Sequence, residues 1–121
     1  MELYTIQMAQ WRKAKELGIP VVDTTVKNNP DSIFAPSWEL VRGHKTKMLS
    51  NEDYTAGYLE KMRESYSKRR EEWLSFLSQD RVGILCFCKA GDFCHRLLLV
   101  DILTKVAAKH KVDFVYKGEI Q

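Results

Sequence analysis

The sequence predicts an α/β domain, a three-layer Rossmann-like sandwich around a mostly parallel sheet. Short apolar runs alternate with helical patterns in the order β-α-β-(α)-α-β-α-β, which suits parallel strands joined by crossover helices. The run VGILCFC at residues 82–88 is apolar throughout, as expected of a strand covered on both faces. With 121 residues, 45% hydrophobic and 29% charged, the chain can cover one core, so a single domain over residues 1–121 is expected and wholesale disorder is excluded.

Each element has its own warrant. Residues 3–6 (LYTI) read as a first strand. Residues 7–17 carry Met8, Trp11, Ala14 and Leu17 at helical spacing, and Gly18 is a natural stop. Residues 19–22 form a second, β-branched strand, with Asp23, Thr24 and Thr25 where it runs out. Residues 27–37, rich in Asn, Pro, Asp and Ser, are a loop long enough to suggest a functional loop or a flexible flap. A short helix over 37–41 ends near Gly43, and His44, Lys45 and Lys47 follow as a small basic segment.

Residues 50–77 give the strongest helical pattern. Ser50 and Asp53 make an approximate capping box, and Tyr54, Tyr58, Met62 and Tyr66 recur every four residues before Trp73 and Leu77 continue the face. Gly57 weakens the interior by about 1 kcal/mol relative to Ala, so a bend or split is expected there. After the strand at 82–88 come a turn over 89–93, a helix over 94–109 and a last strand over 112–116. The helix is apolar on most of its surface, as burial between layers or a homodimer surface would require, and Asp101, Lys105 and Lys109 form its polar stripe.

The formal net charge is +3, compatible with a phosphate-bearing partner but too small to demand one. The first residues lack the apolar core of a signal peptide, and no apolar run approaches a membrane span, so the sequence reads as cytoplasmic with no membrane partner. All three cysteines lie between Cys86 and Cys94, an odd, clustered set that reads as reduced thiols and not as a disulfide framework.

Chemistry concentrates in the segment running from Cys86 to Arg96, which leaves the carboxyl end of a buried strand and enters a helix. That edge is where ligands bind in open α/β sheets, and a helix N-terminus attracts anions. Four readings compete. In the structural one, Cys86 is core packing and Arg96 pairs with a carboxylate such as Asp23. In the anion-site one, Gly91 and the backbone near Cys94 meet a phosphate, Lys89 adds charge and Arg96 clamps it. In the metal one, Cys86, Cys88, Cys94 and His95 supply a Cys3His zinc set; against it, adjacent Cys94 and His95 diverge by about 100° on a helix and no CxxC knuckle is present. In the reactive-thiol one, a Cys near Arg and His at a helix start is activated, although the spacing of phosphotyrosine-type phosphatases fails, because Arg96 lies eight residues after Cys88 where that loop needs six.

A strand ending in Cys, a short turn and Cys94-His95-Arg96 at a helix start resemble the family called domain of unknown function 488. The opening strand and helix, followed by Val21, Val22 and Asp23 at a strand end, are similar to that family's beginning. The resemblance implies a Rossmann-like fold, a bacterial or bacteriophage source and a cytoplasmic setting, and it reaches Asp23, Cys86, Cys94, His95 and Arg96. The chain departs from it at Thr25, where many relatives carry a basic residue and Lys27 follows here.

The resulting expectation is binding, and open processing, of a nucleotide or other phosphate-bearing ligand at the strand ends. Lys89, Gly91, Cys94, Arg96 and Thr25 would contact it, and Asp23 and His95 would be the acid–base pair of any hydrolytic or transfer step. No cofactor and no metal ligand are assigned. The alternatives are a nucleic-acid-binding accessory protein using the basic long helix (Lys61, Arg63, Lys68, Arg69 and Arg70) and the segment from Arg42 to Lys47, and a protein-interaction or inhibitor module. Glu60, Glu64, Glu71 and Glu72 interrupt the basic stretch and favour a solvated face. His44 and His110 have no partner pattern and read as surface residues. Trp38 reads as packing, with capping of a pocket or stacking on a base as its functional alternative.

Overall fold

A computed structural model describes residues 1–88 and 93–121. Four strands, β1 (Glu2–Gln7), β2 (Val21–Asp23), β3 (Arg81–Cys86) and β4 (Val115–Ile120), form one sheet in the order β2-β3-β1-β4, and every pairing is parallel. The expected α/β class with a parallel sheet is therefore what the chain adopts.

Side chains alternate across the sheet, so each strand feeds two cores. Leu3, Val82 and Ile84 point to one face, where Tyr58, Met62, Trp73, Leu99 and Leu103 bury them. Ile6 and Leu85 point to the other face and pack with Ala14, Ile19 and Ile120. The first core is covered by α3 (Asn51–Lys68), α4 (Arg70–Leu77) and α5 (His95–Lys109), the second by α1 (Trp11–Glu16), and α2 (Trp38–Lys45) lies against α3. None of the described helices is long and apolar enough to cross a membrane.

Several sequence expectations shift. The first helical segment begins as a 3-10 turn, Met8–Gln10, before α1, and Gly18, at φ 70°, ends it as expected. Ser37 caps α2, its side chain accepting from the Leu40 N–H, but the helix runs past Gly43 to Lys45. The capping box at Ser50 and Asp53 is present. The long helix does divide, at Arg69 and not at Gly57. Gly57 serves close packing instead: a Cβ there would lie 2.6 Å from Leu40 Cδ2, so its bareness is what lets α2 and α3 approach. The last strand falls at Val115–Ile120, later than 112–116, and pairs with β1 through a register shift between Leu3 and Tyr4.

The loop after β2 is not a flap. The Phe34 ring is buried edge-on against Trp73 and Phe76 at centroid distances of 4.9 and 4.8 Å. Tyr58 Oη donates to the Phe34 carbonyl at 2.7 Å, Ser65 Oγ to that of Ile33 at 2.7 Å and Arg69 Nη1 to that of Asp31 at 2.7 Å. Side chains of the helical layer thus satisfy backbone acceptors of this loop.

Candidate functional site

The carboxyl ends of β2 and β3 and the start of α5 enclose a cavity of about 540 Å³. This is the strand edge that the sequence singled out, and the volume falls in the range of small-molecule sites. Its floor is sulfur and imidazole, from Cys86, Cys88, Cys94 and His95. Its walls are largely aromatic: Trp38 from α2, Tyr54 from α3, and Phe87 and Phe93 from the two sides of the β3–α5 connection. Lys27 and Lys45 also line it. Trp38 and Phe87 are 45% and 49% exposed, so apolar ring surface faces solvent at the mouth. Lys27 Nζ sits 5.9 Å from the centroid of the Phe87 ring.

The floor follows from strand alternation. Cys86 lies on the same face as Val82 and Ile84 and points under the helical layer. Cys94 is the N-cap of α5, in an extended conformation (φ −155°, ψ 149°). The Sγ atoms of Cys86, Cys88 and Cys94 all lie within 4.8 Å of one another, and those of Cys86 and Cys94 are in contact. The Cα atoms of that pair are 7.9 Å apart, wider than a disulfide spans without backbone movement.

His95 has a defined tautomer. Its Nε2 meets the Thr24 carbonyl at 3.1 Å, and a carbonyl only accepts, so Nε2 carries the proton. The same Nε2 meets Thr24 Oγ1 at 2.8 Å, whose own proton goes to the Leu85 carbonyl at 2.9 Å. Nδ1 is left as the acceptor and lies 3.8 Å from Cys94 Sγ. Burial pushes the imidazole down to about 4, against the smaller upward pull of its bond to Thr24, so the ring is neutral near pH 7. Burial, and then the neighbouring Cys88, push the Tyr54 phenol well up, so it too is neutral.

Two of the expected site residues have protein partners of their own. Arg96, the expected anion clamp, is wholly buried. Its Nη2 pairs with Glu119 Oε2 at 3.2 Å, its Nε donates to Oε1 at 3.3 Å, and its Nη1 donates to Cys86 Sγ at 2.8 Å. The carboxylate that pairs with it is not Asp23 but Glu119 on β4, brought in by the β1–β4 pairing. Asp23 does not line the cavity. Its Oδ1 accepts from the Thr25 N–H at 2.8 Å and Thr25 Oγ1 at 2.7 Å, and its Oδ2 from Asn28 Nδ2 at 3.2 Å, so it braces the loop. The proton acceptor beside the floor is His95 Nδ1, and its neighbour is Cys94, not Asp23. Thr25, Cys94 and His95 do line the cavity, whereas Lys89 and Gly91 lie outside the described residues.

Sequence reasoning missed His44, which is a wall residue. Its ring lies 5.2 Å from that of Tyr54 and 5.0 Å from that of Phe93, and its Nε2 bonds Asn51 Oδ1 at 2.6 Å. The small basic segment that begins at His44 was the available signal. His110 is likewise partnered, by the Tyr66 hydroxyl. On the basic helix, Lys68 pairs with Glu64 and Arg69 with Glu72.

The family model described as the active DUF488-N3 subclade, DUF488-N3a, matches residues 20–107. The match spans β2, both loops of the cavity and the Cys94-His95-Arg96 turn; the opening strand, which carried part of the resemblance, falls outside it. No curated protein and no solved structure matches the chain.

Proposed function

This chain belongs to the DUF488-N3a family, and on that footing we propose that its strand-end cavity binds a nucleotide, or a phosphate-bearing ligand with a planar ring. Membership carries no ligand with it; the reading rests on the cavity. The single observation that supports it most is the combination of aromatic walls with two lysines around one hollow of about 540 Å³. Flat rings such as Trp38 and Phe87 offer stacking surface worth about 1–3 kcal/mol per base. Lys27 and Lys45 offer compact cations for the phosphate, a role that Arg96 is too deeply buried to take. The base at hand for any subsequent step is His95 Nδ1, beside the Cys94 thiol.

The test is thermal shift of the full chain against mononucleotides, dinucleotides and inorganic phosphate. A ligand present at a hundred times its Kd contributes about 2.7 kcal/mol, a rise of roughly 10 °C for a chain of this size. Trp38→Ala and Lys45→Ala should each reduce that rise while leaving the unliganded Tm nearly unchanged, since both side chains lie at the cavity rim and outside the two cores. No stabilisation by any nucleotide at millimolar concentration would remove the proposal.

A further inference from the structure

We propose that Cys86, Cys88 and Cys94 form a three-thiolate site for a thiophilic divalent cation, zinc foremost, with a fourth coordination position turned toward the cavity. The three sulfurs converge from a strand end, the bend after it and a helix N-cap. In a tetrahedral zinc site with Zn–S near 2.3 Å, neighbouring sulfurs lie about 3.8 Å apart. The three sulfurs all lie within 4.8 Å of one another, close enough to share one ion after small side-chain adjustments. The Cα separation of Cys86 and Cys94, 7.9 Å, is too wide for a direct sulfur–sulfur bridge and suits sulfurs held around an ion.

The surroundings fit thiolates better than thiols. Arg96 Nη1 donates to Cys86 Sγ at 2.8 Å, the kind of outer hydrogen bond that metal-bound sulfur receives. Glu119 holds the guanidinium from the opposite side and so fixes that donor in place. Cys94 sits at the positive end of α5, a helix of 15 residues, which favours its thiolate. Two of the three sulfurs belong to fully buried residues, where thiolates without a cation would be expensive. His95 has Nε2 anchored on Thr24, so its ring stands beside the site as a support for Cys94. Because all three cysteines line the cavity, a cation there keeps one face open to water or to a donor atom of a bound molecule.

The experiment uses the full chain, reduced, stripped with chelator and shown to contain three reactive thiols when denatured. Cobalt(II) is titrated in as the probe and then displaced with zinc. The expected result is a near-ultraviolet sulfur-to-cobalt charge-transfer band that saturates at one equivalent and is erased by zinc. Cys88→Ser, at a position outside both cores, should keep the far-ultraviolet circular dichroism, lower the band by about a third and weaken the affinity at least about tenfold. Native mass spectrometry of the unaltered chain with equimolar zinc is a readout that needs no variant, and a single adduct is expected. Absence of the band at tenfold cobalt excess with three reduced thiols, absence of the zinc adduct, or an undiminished band in Cys88→Ser would each overturn the site. Nucleotide-induced stabilisation of the metal-free chain is measured separately, so either proposal can fail without the other.

Discussion

The loop after β2 and the loop after β3 leave the same edge of the sheet side by side, and they are held by different chemistry. The first, residues 24–37, is tied down by a buried Phe34 and by backbone carbonyls that accept from Tyr58, Ser65 and Arg69 across 24 to 38 residues of sequence. The described part of the second is held by a thiol cluster, a neutral imidazole and a buried guanidinium. Long loops in compact domains are expected to be either mobile or functional. Here the longer loop is anchored to the helical layer and lends Thr25 and Lys27 to the cavity lining, while the thiols and the imidazole lie on or beside the shorter one. His95 Nε2 bonds Thr24 and so joins the two.

Four changes test that contrast. Phe34→Ala should be the most damaging, at about 4 kcal/mol, because it empties a ring-sized space between Trp73 and Phe76. Urea denaturation would measure it, and a loss under 1 kcal/mol would show the first loop to be no scaffold. Glu119→Ala should cost about 3 kcal/mol by leaving Arg96 buried without its carboxylate. If it is neutral in the same assay, the guanidinium is not fixed by that pair.

Acid titration isolates the imidazole. His95 has its folded pKa lowered to about 4 from an unfolded value of 6.5, so the unfolded chain binds the proton first. Its neutral burial therefore contributes fully above pH 6.5, and stability is lost as pH falls from 6.5 toward 4. Between pH 7 and pH 4.5 the unaltered chain should lose about 2 kcal/mol more than His95→Gln, which cannot charge. Parallel pH profiles for the two proteins would contradict a neutral buried ring. Smallest, Tyr58→Phe should cost about 1 kcal/mol by removing the donor to the Phe34 carbonyl while keeping the ring. Faster amide exchange in residues 32–35, and not in α5, would place that loss in the first loop.

The fold was legible where one local signal sufficed. The apolar run of β3, the four-residue aromatic spacing of α3 and the Ser50–Asp53 box each need only neighbours in sequence, and each formed near the expected place. The position of the cavity was legible too, since strand end and helix start are read from the same residues. What escaped was decided at long range. Gly57 reads as a weak point in a lone helix, but its purpose is the Leu40 side chain on another helix. The partners of Arg96 and Asp23 were hidden: Glu119 reaches Arg96 only through the β1–β4 pairing, and the Asn28 and Thr25 donors reach Asp23 only once the loop turns back. His44 looked unpartnered because Tyr54 and Phe93 join it from separate elements.

The most direct test of the strand-end cavity as a ligand site is amide chemical-shift mapping of the ¹⁵N-labelled chain titrated with the nucleotide that raises its Tm most. The account predicts saturable shifts at Thr25, Lys27, His44, Phe87 and Phe93, with residues 61–70 of the basic helix unmoved. Shifts confined to residues 61–70, or none at saturating nucleotide, would contradict it.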